Sequence, residues 1–186
     1  MKRTISILFV ACLALSQFSI AQARESRKER NGAARLPPNL ILSEEARRRL
    51  EKVWLRSPTF RDQCRRVAQL PQAEIRFDFV VRNSDAHHAI TMVSRTEGRM
   101  TITMRVFISD RCVEMIGHEF EHVVEQIEGM NLKALAFVPG AGVRRNAEGF
   151  YETKRAIEAG RRVFREYRAA KRKEDDQQEP LAAVRK

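Results

Sequence analysis

Cysteine is scarce in this sequence, with three in 186 residues, and one of these, Cys12, sits in the apolar run near the N-terminus. Only Cys64 and Cys112 remain for the body of the chain, too few for a disulfide-built scaffold or a metal site closed by four cysteines. If the chain meets an oxidising compartment, that pair suggests one disulfide, Cys64–Cys112, against two buried thiols. Long apolar runs are also missing beyond the first twenty or so residues, so no later segment is expected to span a membrane. Aromatic residues are few, at 7%, and no nucleic-acid motif or internal repeat accompanies the charges. The formal net charge of +11 is therefore read as a solvated basic surface, and no nucleic-acid partner is expected.

What is present begins with Lys2 and Arg3, an apolar run from Ile5 to about Leu15, and the small-residue sequence Ala21-Gln22-Ala23. That order is the pattern of a secretory signal peptide over residues 1–23, cleaved after Ala23. It implies an exported protein, periplasmic or secreted, with no membrane span once the signal is removed. Val10-Ala11-Cys12 loosely resembles a lipobox, which makes a lipid anchor at Cys12 the alternative, although Phe9 is a poor residue for one. The remaining chain, roughly 160 residues, suffices for one domain with a packed core.

Residues 24–40 are polar and basic and read as a flexible leader. A domain over 41–173 follows, then a tail over 174–186 that is expected to be disordered. Ser43 is placed to cap a helix over 44–56, with Ala46, Leu50, Val53 and Trp54 on one face; Ser57-Pro58 breaks it. A second helix is expected over 59–70. The period then changes to two. Strands are expected over 74–82, 88–94 and about 102–108, the last two forming a hairpin around Glu97-Gly98. Asp110 is the expected cap of a long helix over 111–128 that Gly129 ends, residues 130–146 read as a loop, and a final helix is expected over 147–172. The fold class is α+β, with a small antiparallel or mixed sheet of about three strands, one long motif-bearing helix and a long C-terminal helix.

The motif is His118-Glu119-Phe120-Glu121-His122. Histidines four apart lie about 40° apart around a helix and one turn apart along it, so both imidazoles can reach one cation. Glu119 lies about 100° away, close enough to act on a water at the metal without being a ligand. Val113, Ile116, Phe120, Val123, Val124 and Ile127 should bury the helix. The pattern points to Zn2+ at His118 and His122, with Glu119 as general base in hydrolysis. Glu121 stands where metalloproteases mostly carry an uncharged residue and should point away from the metal.

A catalytic zinc site wants a third protein ligand and an open position. The residues after His122, Val-Val-Glu-Gln-Ile-Glu-Gly, contain no further histidine, which excludes the metzincin spacing. Glu125 shares the histidines' face but lies a turn too far along, so its expected role is to orient a ligand. Glu152 is the better third ligand, because Ala156 and Gly160 continue its stripe with small residues that let two helices approach. Glu148 and Glu158 compete with it.

The segments SPTFRDQC, GHEFEHVVE and GFYETKRAIEAG together resemble a family of uncharacterised bacterial exported proteins of the zincin-like metallopeptidase type, its glutamate-ligand branch. The resemblance spans most of residues 55–165. It implies a zincin-like fold, zinc at His118, His122 and Glu152, Glu119 as base, and a peptide or protein substrate. An extended peptide is expected to pair with the third strand, and Tyr151, His87 and His88 are eligible to stabilise the oxyanion. Two rival readings are a non-catalytic zinc-stabilised envelope protein and a basic protein that binds anionic envelope polymers or nucleic acid.

Overall fold

A computed structural model of the chain describes residues 36–81 and 89–183, the side chains of 178–183 excepted. The expected signal peptide, Cys12, the leader as far as residue 35, His87 and His88 lie outside the described residues. The architecture is α+β, with a four-stranded mixed sheet, a separate two-stranded ribbon and a long C-terminal helix. No helix among the described residues is long and apolar enough to cross a membrane.

The chain enters through β1 (Leu40–Leu42), a strand within what was expected to be the end of the leader and the start of the first helix's approach. It is too short to show a period. Its place is fixed by pairing with β2 and by Asn39, whose amide donates to the carbonyls of Leu70 and Ala73. Helix α1 (Glu44–Arg56) follows, capped by Ser43 and buried along Ala46, Leu50, Val53 and Trp54, as the spacing predicts. Ser57-Pro58 both ends it and starts α2 (Pro58–Ala68), because proline needs no N–H partner at a first helical position. Ser57 accepts from the Phe60 N–H and donates to Glu166, so the junction is tied to the C-terminal helix.

Strands β2 (Ala73–Val80), β3 (Ala89–Thr96) and β4 (Arg99–Phe107) complete the sheet in the order β1-β2-β4-β3. β3 and β4 form the expected hairpin, turned by Glu97 and Gly98 with φ of 47° and 78°. β4 also pairs with β2, in parallel, so the expected third strand is internal and β3 is the edge. Ile75, Phe77, Ile102, Met104 and Val106 are fully buried on one face, while Glu74, Arg76 and Arg105 are exposed on the other. That alternation marks a sheet covered on one side only.

The covering layer is α2 and α3 (Cys112–Ile127). Phe60, Phe77 and Phe120 meet at ring-centroid distances of 4.7 Å and 6.1 Å, joining α2, sheet and α3. Asp110 does not cap α3, contrary to expectation; the cap position is Arg111 and no side chain fills it. After α3 come a short helix, α4 (Leu132–Leu135), and a ribbon of β5 (Val143–Arg145) and β6 (Tyr151–Thr153). The sequence reading had a loop over 130–146 and a helix from 147. Gly149, at φ 92°, and the Asn146 side chain, which accepts from the Phe150 N–H at 2.9 Å, turn the chain there instead.

The last helix, α5, therefore begins at Lys154 and runs to Ala183, past the expected end at 172 and into the expected disordered tail. Lys171–Gln178 are mostly good helix formers, and Arg56 grips Glu174 through two guanidinium nitrogens while also reaching Tyr167. Helices α3 and α5 cross so closely that each needs a glycine. A Cβ on Gly160 would stand 2.7 Å from the Glu114 carbonyl oxygen and 3.1 Å from the His118 Cβ; one on Gly117 would stand 2.6 Å from Val163.

Cys64 and Cys112 are both free, which corrects the expected disulfide. Cys64 is buried on α2, and burial pushes its thiol far above the ordinary range. Reductant should leave the melting temperature unchanged, and alkylation of the native chain followed by peptide mapping should label Cys112 well before Cys64. A mapped Cys64–Cys112 bridge would contradict the fold. Gly160→Ala should destabilise the protein by about 1–3 kcal/mol through overpacking against backbone, outweighing the ~1 kcal/mol that alanine gains in helix propensity. Denaturant unfolding reads the sign; a stabilised variant would mean that α3 and α5 do not cross this closely.

Candidate metal centre

Helix α3 carries three acids and two histidines whose side chains are almost wholly enclosed. His118, Glu119, Glu121, His122 and Glu125 all have 8% or less of their surface exposed. Burying so many ionisable groups on one helix requires a partner for each, and the partners divide the helix into two faces.

One face holds the metal-binding group. The His118 and His122 Nε2 atoms lie 3.1 Å apart, and the Glu152 Oε2 lies 3.5 Å from that of His118. One donor atom from each of His118, His122 and Glu152 falls within 4.8 Å of the others, so the three can hold a metal ion. Glu152 reaches the histidines from β6, not from the final helix as the spacing suggested. Its stripe was half right: Ala156 is fully buried and Gly160 touches His118, while Glu152 itself precedes the helix. Of the competitors, Glu148 is exposed and bonded to Asn146, and Glu158 lies in a separate groove with Glu121 and Arg162.

Glu119 stands beside the group, 4.0 Å from the His118 Nε2, with its other oxygen accepting from the Thr91 hydroxyl on β3 at 2.5 Å. Burial raises its pKa, against the lowering effects of His118, His122 and the Thr91 bond. A carboxyl so placed is poised to take and return a proton. Glu152 is held below its usual range by the bond to His118 and by the nearby histidine charges, with Arg144 adding to the effect. Burial lowers the His122 pKa, but the Glu125 bond and the charges of Glu119, Glu125 and Glu152 outweigh it and the net direction is upward. A bound cation would favour neutral imidazoles and ionised carboxylates at the same positions.

Glu125 performs the orienting role expected of it. Its Oε2 lies 2.9 Å from the His122 Nδ1, which leaves Nε2 turned toward His118. Its Oε1 accepts from the Thr153 hydroxyl at 2.6 Å, and the same hydroxyl accepts from the Ala156 N–H at 2.9 Å as the cap of α5. Thr153 was not singled out in the sequence. A threonine three residues before a small apolar helical position is a cap signal, but it lay inside the segment read as helix.

The opposite face carries Glu121, which points away from the metal group as expected. It accepts from Gln63 Nε2 at 2.7 Å and Arg155 Nε at 2.6 Å, with Arg66 at 3.6 Å. Arg66 and Arg155 also bond Glu128, so α2, α3 and α5 share one charged network.

Two clefts meet at the metal group. The larger, about 860 Å³, runs along β3 from Ala89 to Arg95 and past His122, Met130, Phe150 and Tyr151. The smaller, about 320 Å³, lies on the His118 side and is lined by Arg111, Arg144 and Arg161 among others. Ala89, Glu119 and Glu152 line both. The strand beside the larger cleft is thus β3. The strand expected there, 102–108, is paired on both sides and has no free edge to offer.

Thr153→Val should weaken binding of a divalent transition-metal ion about 10–100-fold by freeing Glu125, while Thr153→Ser, which keeps the hydroxyl, should bind as the parent does. Competition with a chromophoric chelator measures both; equal affinity for Thr153→Val and the parent would show that the hydroxyl does not hold Glu125 in place. In comparisons with protein-family models, curated proteins and solved structures nothing matches this chain, so the reading of the centre rests on its own geometry.

Proposed function

We propose that this chain is an exported zinc-dependent peptidase of the zincin type, with His118, His122 and Glu152 as ligands and Glu119 as general base. The observation that carries the reading is the close group of two imidazoles and one carboxylate with a second, buried carboxylate beside it on an open cleft. The donor set fits zinc. Tetrahedral zinc with bonds near 2.0–2.1 Å wants its ligand atoms about 3.3 Å apart, against 3.1 Å and 3.5 Å for the two separations at the His118 Nε2. Three protein ligands leave a fourth position open, as hydrolytic sites do and closed structural sites do not. Among the described residues neither cysteine belongs to the group.

His118, His122 and Glu152 would hold the zinc ion, which would supply an activated water of pKa about 7 and polarise a substrate carbonyl. The chain's own residues do the rest. Thr91 fixes one oxygen of Glu119, leaving the other free to accept the water's proton as the peptide carbonyl is attacked. Glu119 then returns that proton to the departing amine. The exposed edge of β3 offers backbone N–H and C=O groups to an extended peptide along the larger cleft. Tyr151, which lines that cleft next to Glu152, is the described residue eligible to stabilise the oxyanion.

The rival reading, a basic binder of nucleic acid or anionic polymer, gains no specific support. Arg48, Arg49, Arg65 and Arg66, basic residues such a binder would use, are paired with Glu45, Asp62 and Glu128. Metal analysis and peptide-library hydrolysis test the proposal together. The parent should carry about one zinc per chain and hydrolyse peptides, while Glu119→Gln should keep the zinc and lose roughly 10²–10⁴-fold in rate. A parent without zinc affinity, or a Glu119→Gln variant of undiminished activity, would overturn it.

A further inference from the structure

The smaller cleft brings arginines from separate elements, Arg111, Arg144 and Arg161, beside the acids Glu114, Glu119 and Glu152. Arg144 comes from β5 and Arg161 from α5, and both line it together with His118, Glu119 and Glu152. Arg144 stands opposite Glu152 in the ribbon register, so the two side chains share a face, and its charge is felt by the Glu152 carboxyl. Arg161 follows Gly160, the residue that touches His118, and lies one helical turn beyond Ile157 on the same cleft wall. The third arginine, Arg111, is already engaged by Glu114 at 3.0 Å. Neither Arg144 nor Arg161 bonds a carboxylate among the described residues. Other exposed arginines are also unpaired on so basic a chain. These two are distinguished by converging, from separate elements, on a concave space that ends at the metal group.

A guanidinium binds a carboxylate through a planar two-pronged arrangement, and a pair of them at the wall of a cleft is an anion site waiting for its partner. The larger cleft has more apolar side chains, Ile90, Met92, Met130, Leu132 and Phe150, together with Arg95 and Lys133. A peptide lying across the candidate metal group would thus meet these apolar side chains on the His122 side and the Arg144 and Arg161 guanidinium groups on the His118 side.

We propose that Arg144 and Arg161 form a carboxylate-binding subsite that selects substrates bearing a negative group a short distance from the scissile bond. This rests on the peptidase reading for its purpose but not for its test. The carboxylate has two sources, the free C-terminus of a peptide or an Asp or Glu side chain near the cut.

The test uses N-terminally labelled pentapeptides in three forms: a free C-terminal carboxylate, the C-terminal amide, and amides carrying one Glu in place of Gln at each position in turn. Binding to the metal-free chain is read by fluorescence anisotropy, and hydrolysis by the zinc-loaded chain is read alongside. At least one carboxylate form should bind about tenfold more tightly than the neutral amide, and which form does so identifies the source. Arg144→Gln and Arg161→Gln should each remove that preference. Both residues are exposed, and unchanged melting temperatures would confirm that the variants remain folded. Arg47→Gln, at an exposed arginine on α1 away from the cleft, should keep the preference. Equal binding of charged and neutral peptides, or an equal loss in Arg47→Gln, would overturn the subsite while leaving hydrolysis to judge the peptidase reading. Preferential binding without any hydrolysis would overturn the peptidase reading and leave the subsite standing.

Discussion

The close crossing of α3 and α5 is the constraint on which the metal group depends. Helices usually pack with axes 8–10 Å apart, the distance being set by the side chains between them. Here Gly117 and Gly160 remove those side chains at the contact, one from each helix, and Val163 and the Glu114 backbone fill the space. Close approach has a consequence one residue upstream of α5. The ribbon strand β6 ends where that helix begins, so drawing α5 onto α3 brings Tyr151-Glu152-Thr153 against the face that carries His118 and His122. Glu152 then reaches the imidazoles and Thr153 reaches Glu125 from adjacent positions with opposite side-chain directions, the alternation that a strand provides and a helix does not. The third candidate ligand, Glu152, and the residue that holds Glu125 beside His122 therefore share one origin.

The same crossing explains how α3 tolerates so much buried charge. An unpartnered buried carboxylate costs several kcal/mol or shifts its protonation. Glu121 escapes that cost through Gln63 and Arg155, and Glu125 through Thr153 and His122. Arg155 and Thr153 both come from the start of α5 or the residue before it, so one segment satisfies a buried acid on each face of α3. Glu119 has only the Thr91 hydroxyl as a close hydrogen-bond partner, and burial raises its pKa. In the proposed function, this incomplete compensation is what sets Glu119 apart from Glu121 and Glu125 as the proton-transfer group.

Much of this was legible in the residues. The helical spacing of Ala46, Leu50, Val53 and Trp54, the alternation through Phe77, and the His118-Glu119-His122 pattern each report a local periodicity, and each reappears in the structure. Glu152 was picked out for the right neighbours and the wrong element. Small residues at Ala156 and Gly160 do signal close packing, but nothing in a helical period distinguishes a residue at the end of a strand from one in the first turn of the following helix. Asn146 and Gly149 are residues that favour a turn, and in the structure they form one ahead of Lys154. What could not be read were the long-range features: the parallel pairing of β2 with β4, the three-residue β1, and the unbridged state of Cys64 and Cys112. Each depends on which distant segment arrives alongside, and no local pattern encodes that.

The edge position of β3 shows how such a long-range feature changes the chemistry open to the site. Had β4 been the outer strand, its alternation would have placed Thr103 and Arg105 at the boundary instead. Insertion of β4 between β2 and β3 leaves β3 with one unpaired edge and sets Thr91 against Glu119. One strand thus has two contacts, a side chain that holds an oxygen of the Glu119 carboxyl and an outer backbone edge along the larger cleft. Because side chains alternate along a strand while the free edge is continuous, these two contacts do not compete. The sheet's strand order therefore puts the free backbone edge, where the proposed peptide would pair, and the residue that holds the Glu119 carboxyl on the same strand.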